Sequence, residues 1–171
     1  DQYGRYAFSN QSRVAPWNLS RLAETILFLI SKNTSDAIKV VEEILFDFDK
    51  NFNNTLDILI SHKLGFKNNS KKTSSLYSDL LNLMEAGKAD FTGTFKSLKA
   101  TLIKEDDTIF FNNFRNSDED NRYAVSQWLD NWKKLLQENS ESKTEAIELL
   151  SSSNPEFIMR NHLVEQAIGK A

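Results

Sequence analysis

Residues 4–23, GRYAFSNQSRVAPWNLSRLA, mark the place where an aromatic segment gives way to helical spacing. The segment 3–8 is short and rich in aromatic residues, and we predict that it is extended. A helix is predicted to begin at about Pro16, because proline fits the first turn of a helix, where its missing N–H loses no hydrogen bond. Apolar residues then recur every three or four positions, which predicts a helix face directed at a core. This face comprises Trp17, Leu22, Ala23, Ile26, Leu27 and Ile30.

The rest of the chain continues with helical spacing, and no alternating pattern typical of strands rises above it. The sequence therefore predicts an all-α fold of about seven helices in a single domain, residues 1–171. The predicted helices run from Pro16 to Ser31, from a cap at Thr34 or Ser35 to Gly65, from Leu76 to Gly87, from a cap at Asp90 to Leu102, from Val125 to Leu136, from Thr144 to Leu150, and from a cap at Asn154 to Ile168.

Composition excludes several classes of function. The chain has 171 residues, of which 40% are hydrophobic and 26% charged, as expected of a globular protein. Its net charge of −3 argues against nucleic-acid binding, which needs a basic face. The absence of cysteine excludes disulfides and thiol catalysis. No apolar run approaches the roughly 18 residues of a membrane span, so we expect a cytoplasmic-type protein without membrane contact.

Few residues suggest a catalytic or metal site. Asp47, Asp49 and Asn51 imitate the opening of a calcium loop, but Phe52 and Ile58 stand where that loop needs glycine and glutamate. A solvated helix face is therefore the better interpretation. The two histidines, His62 and His162, have too few partners at ligand spacing to form a metal site. We also find no nucleophile elbow and no glycine-rich phosphate loop.

Three features leave alternatives open. Arg5, Arg13 and Arg21 could contact a phosphate near a helix N-terminus, or they could form salt bridges, as Arg21 could with Glu24. The aromatic pair Trp128 and Trp132 could lie in the core or form a docking face for a partner. The cluster at residues 160–162 could make hydrogen bonds that tie the last helix to neighbouring backbone.

Several segments of the chain together resemble the selenoprotein O (SelO) family, and they occur in that family's order. They are Tyr3-Gly4-Arg5-Tyr6-Ala7-Phe8 with Asn10-Gln11, Trp17-Asn18-Leu19 with Arg21-Leu22-Ala23, Lys63-Leu64-Gly65-Phe66, Ala89-Asp90-Phe91-Thr92 with Thr94-Phe95, the pair Trp128 and Trp132, and Asn154-Pro155 with Arg160-Asn161-His162-Leu163 and Gln166-Ala167-Ile168. Two departures are Ser12, where the family usually has proline, and Lys133-Lys134, where it favours arginine.

The resemblance implies a kinase-like protein that transfers AMP from ATP to Ser, Thr or Tyr hydroxyls of other proteins with the help of Mg²⁺. The chain resembles only the helical C-lobe and C-terminal extension, so we expect the catalytic half to precede it. We therefore assign this chain no catalytic, nucleotide-binding or metal residue, and expect no ATP or Mg²⁺ bound to it alone. Its possible activation-segment or lobe-interface residues are Arg5, Tyr6, Arg13, Trp17, Arg160 and Asn161.

The same resemblance implies partners and a location. We expect the chain to pack on the missing kinase-like half and to meet protein substrates through the longer protein, in the cytoplasm of a bacterium or, alternatively, in a mitochondrion. A second hypothesis is a non-catalytic helical interaction module. Its docking face would be Trp128 with Trp132, or Phe110 with Phe111.

Overall fold

A computed structural model describes residue 7 and residues 10–116, 118–139 and 142–170. Within these residues the chain forms eight helices and no strand, which confirms the predicted all-α class. The helices are α1 (Gln11–Ile30), α2 (Thr34–Lys63), α3 (Lys71–Ala86), α4 (Phe91–Lys104), α5 (Thr108–Phe111), α6 (Glu119–Glu138), α7 (Lys143–Ser153) and α8 (Asn161–Ile168). The helix that the prediction lacks is α5, a single turn formed by the aromatic segment.

The chain divides into two compact units, residues 1–56 and 57–171, which we describe separately. The prediction of a single domain stays a prediction. In the first unit, α1 begins at Gln11, so the predicted start at Pro16 was wrong. Pro16 is the sixth residue of the helix, where it removes one hydrogen bond, to the carbonyl of Ser12. Its ring also crowds that carbonyl, and a proline inside a helix usually costs roughly 3 kcal/mol, which α1 accommodates.

The predicted apolar face of α1 is largely exposed. Trp17 is 47% exposed and Leu22 57%, so the expectation that this face is buried was wrong for the described chain. The stripe of α2 is covered only in part, since Ile38, Leu56 and Leu59 are exposed while Val41, Leu45, Phe48 and Phe52 are half-buried. The buried apolar residues of these two helices are Val14 and Ala37. Asp47, Asp49 and Asn51 lie inside α2, as expected for a helix face rather than an ion-binding loop.

The second unit begins at the end of α2, where the chain turns through Gly65. Gly65 has φ +84°, in the left-handed region that favours glycine, which confirms the predicted stop. The Phe66 N–H donates to the Ser61 carbonyl (2.9 Å) and the Gly65 N–H to the His62 carbonyl (3.0 Å), a Schellman arrangement. The next helix, α3, begins at Lys71 rather than Leu76, because the Ser70 hydroxyl accepts a bond from the Thr73 N–H.

Helix α6 supplies the centre of the core in the second unit. Trp128 and Trp132 are 4% and 0% exposed, and their rings stack with centroids 6.1 Å apart. The Trp132 indole N–H donates to the Leu64 carbonyl (2.9 Å), and the Trp128 indole donates to the Leu76 carbonyl (2.8 Å). The predicted core role is confirmed. The alternative prediction, a docking face on this pair or on Phe110 with Phe111, was wrong, because Trp128, Trp132 and Phe110 are buried.

The last predicted helix was placed too early. Asn154 ends α7 instead of capping a new helix, and α8 begins at Asn161. The sequence Asn-Pro is a common helix start, but here the Asn154 side chain bonds backbone from another helix. The residues predicted to point inward from this segment are exposed: Phe157, Ile158, Leu163, Ala167 and Ile168.

Candidate functional site

Three of the resemblance segments meet in the second unit, at the end of α2, the start of α4 and the end of α7. Asn154 is 5% exposed and joins two of them. Its amide Nδ2 donates to the Lys63 carbonyl (3.0 Å), while its Oδ1 accepts from the Lys63 ammonium (3.0 Å). Both ends of the amide are therefore used, and the last turn of α2 is fastened to the end of α7.

The Lys63 ammonium lies over two aromatic rings of α4. Its Nζ is 4.7 Å from the Phe95 ring centroid and 5.7 Å from that of Phe91, within the range of cation–π attraction. Burial lowers the pKa of Lys63 below its usual value. Among the described residues, Lys63 forms no ion pair with a carboxylate, so the amide and the two rings hold this charge.

Asp90 caps α4 and also binds the segment before α8. Its Oδ1 accepts a bond from the Gly93 N–H (2.6 Å), and its Oδ2 accepts one from the Arg160 guanidinium (3.0 Å). The Gly93 N–H does most to hold the pKa of Asp90 below its usual value; burial opposes this effect, and the Arg160 guanidinium adds to it. A Cβ at position 93 would crowd the Asn113 amide and the Asp90 carboxylate, so a larger residue there would force these side chains to shift.

Asp90 should make the stability of the protein fall at low pH. Since its pKa in the folded state is lower than the ordinary 3.8, its contribution is full above about pH 5 and is lost as the pH falls through the folded-state pKa. Asp90→Asn keeps a capping side chain but has no charge. In this variant we expect the free energy of unfolding to fall less steeply between about pH 5 and 3 than in the unsubstituted protein. Urea unfolding at several pH values measures this, with exposed Asp79→Asn as control. Parallel pH profiles of Asp90→Asn and the unsubstituted protein would contradict it.

The structure brings only some of the predicted interface residues to this site. Arg160 reaches Asp90, and exposed Asn161 follows it as the first residue of α8. Arg13 and Trp17 lie exposed on α1, in the first unit. Arg5 and Tyr6 lie outside the described residues. The predicted salt bridge of Arg21 with Glu24 is confirmed at 2.6 Å, and phosphate contact by these arginines stays untested.

Comparison with known proteins places the chain in a family. The family described as protein adenylyltransferase SelO matches residues 1–171, the whole chain. The chain belongs to the SelO family. It is 39% identical over its full length to a protein nucleotidyltransferase YdiU of Clostridium botulinum (strain 657 / Type Ba4), and 34% identical to the YdiU protein of Bacillus cereus (strain AH187). In both cases it spans 33% of the relative's length.

Sequence reasoning missed the central contact of this SelO chain, the bond between Lys63 and Asn154. Each residue belongs to a segment that carried the resemblance, and this membership was the only available signal. Nothing in either segment predicts that Lys63, 91 positions away, bonds both ends of the Asn154 side-chain amide. The quoted SelO segments that lie in the second unit thus form a connected set of contacts.

This SelO chain shows neither a metal cluster nor a membrane-spanning helix in its described part. There, no three His, Asp or Glu side chains come together in a way that could hold a metal ion. Of the described helices, none is both long and apolar enough to cross a membrane.

Proposed function

We propose that this chain is the C-terminal helical part of a protein adenylyltransferase. The longer protein would transfer AMP from ATP to Ser, Thr or Tyr hydroxyls of acceptor proteins. The observation that carries the proposal is the match of the SelO family over the entire chain, together with relatives named protein nucleotidyltransferases. The candidate site supports a scaffolding role, because its contacts link α2, α4, α7 and the segment before α8.

The side chains of the candidate site do not fit a nucleotide–magnesium site. Asp90 is engaged by Gly93 and Arg160, and Lys63 by Asn154 and two rings, so neither group is free to bind a phosphate or a cation without breaking these contacts. We therefore propose that ATP and Mg²⁺ bind to the part of the longer protein that this chain does not span. The chain would pack against that kinase-like part, in the cytoplasm of a bacterium.

The exposed apolar side chains of α1 and α2 support this packing. From Thr25 to Ser31 the chain carries no charge, and Phe28 and Leu29 are 74% and 71% exposed. Uncharged apolar faces of this kind are typical of permanent interfaces, which resemble the interior of a domain. The remaining two thirds of the longer protein would supply the covering surface.

The proposal predicts that AMP transfer needs the longer protein. We expect the full-length protein to label an acceptor protein when given ATP with ³²P in the α-phosphate, and the 171-residue chain to give no label. ATP labelled in the γ-phosphate is the control, because it reports phosphoryl transfer instead. Label from γ-labelled ATP would contradict AMP transfer, and α-label deposited by the isolated chain would contradict its inactivity.

A non-catalytic interaction module is the second candidate. The docking face that the sequence offered for it, Trp128 with Trp132, is buried in the core. The labelling experiment also separates the two candidates, since a module would leave the full-length protein inactive with both forms of ATP.

A further inference from the structure

A surface that overlaps the candidate site combines positive charge with exposed aromatic rings. The segment 155–160 follows α7 and contacts the exposed side of α4. Glu156 pairs with Lys96 (2.8 Å), the Lys96 ammonium lies 5.4 Å from the Phe157 ring centroid, and Arg160 pairs with Asp90. We call this surface the basic aromatic face and define it by Lys63, Phe91, Lys96, Lys99, Phe157 and Arg160.

Positive charge is in excess on the basic aromatic face. Its ion pairs join three cations to only two carboxylates, because Glu156 serves both Lys96 and Lys99, the latter at 3.8 Å, and Asp90 serves Arg160. Lys63 adds a charge whose hydrogen-bond partner is an amide. The chain as a whole has a net charge of −3, so this local excess is opposite in sign. An acidic partner would be attracted here.

The basic aromatic face also offers contacts for an apolar side chain. Phe91 is 50% exposed and Phe157 89%, and both rings lie under ammonium groups. Beside them a groove of about 340 Å³ runs along α4, lined by Gly93 and Ala100 of that helix and by Glu156 of the segment 155–160. Aromatic and arginine side chains of this kind are enriched where proteins bind one another.

The basic aromatic face is charged, whereas the apolar residues from Thr25 to Ser31 carry no charge. Permanent interfaces are apolar, whereas reversible ones keep charged groups at their rim. We propose that the basic aromatic face binds an acidic segment of a partner protein that carries a large apolar side chain. The proposal deepens the proposed function and rests on it in one respect, since the acceptor protein of AMP would supply the segment.

Peptide binding to the full-length protein tests this proposal. The probe is a fluorescein-labelled 12-residue peptide of alternating Glu and Leu, compared with a peptide in which Lys replaces every Glu. We expect the Glu peptide to bind, with an affinity that falls as salt rises. Lys99→Glu and Phe157→Ser should each weaken it about tenfold, a change of about 1.4 kcal/mol. Lys71→Glu, an exposed lysine on α3, should leave the affinity unchanged.

Three results would overturn the proposal. They are equal affinity in Lys99→Glu, Phe157→Ser and the unsubstituted protein, equally tight binding of the Lys peptide, and protection of Lys99 from acetylation in the full-length protein without peptide. Protection would mean that the longer protein itself covers the face. Circular dichroism of each variant shows whether it is folded. AMP transfer is measured separately, so that peptide binding without transfer counts against the proposed function and not against the face.

Discussion

Replacing Trp132 with alanine is expected to lower the free energy of unfolding of the chain by about 3–5 kcal/mol, the usual cost of removing a fully buried large aromatic side chain. Trp132 is 0% exposed and stacks on Trp128, so its removal leaves a cavity at the centre of the second unit. It also deprives the Leu64 carbonyl of its indole donor. Urea unfolding followed by circular dichroism measures the change.

Two further variants make the Trp132 result interpretable. Trp132→Phe keeps most of the ring but removes the N–H, and should cost about 1–3 kcal/mol through the lost hydrogen bond. It remains informative if Trp132→Ala fails to fold. Tyr123→Ala, on the same helix but 68% exposed, is the control and should stay within about 0.5 kcal/mol of the unsubstituted protein. A loss below about 1 kcal/mol for Trp132→Ala would contradict the central role of α6.

The second large effect is expected at Asn154. Asn154→Leu keeps the number and branching of the side-chain heavy atoms but cannot bond the Lys63 carbonyl or the Lys63 ammonium, so we expect a loss of about 2–3 kcal/mol in unfolding free energy. Asn154→Asp should lose less, because a carboxylate still accepts from the ammonium. The matched control is Asn161→Leu, at the exposed first residue of α8.

A double-mutant cycle with Lys63→Met assigns the Asn154 effect to this contact. In the Lys63→Met background the ammonium is absent, and Asn154→Leu should cost less than in the unsubstituted protein, by about 0.5–3 kcal/mol. The same cost in both backgrounds would show that Asn154 does not act through the Lys63 ammonium. If Asn154→Leu lowers the free energy of unfolding no more than Asn161→Leu does, the contact between α2 and the end of α7 does not stabilise the fold.

Local sequence signals predicted those parts of the fold that depend on neighbouring residues. The cap at Asp90 and the stop at Gly65 follow from the chemistry of a single turn, and both are confirmed. The spacing of Trp128 and Trp132 correctly predicted one buried helix face. These signals work because the groups that satisfy them lie within a few residues of one another.

The errors arose where distant residues decide the outcome. Asn154 was interpreted as a helix cap because its use of the Lys63 backbone cannot be read from local sequence. The start at Pro16 was wrong because a helix tolerates one missing bond when several earlier residues favour it. The faces of α1 and of residues 157–168 were expected to be buried, since helical spacing indicates a covered face without indicating which surface covers it. The candidate site could be located only through the family resemblance, and its contacts could not be predicted.

The contact between Lys63 and Asn154 also bears on how the chain is made. A ribosome adds roughly 5–20 residues each second, so Asn154 is synthesised several seconds after Lys63. During that interval Trp132 is synthesised before Asn154, so the Leu64 carbonyl can gain its indole donor before the bond across 91 positions can form. The second unit therefore cannot close while its final helices are still on the ribosome. A nascent chain that stalls before Asn154 would expose the unfastened end of α2 to chaperones and proteases.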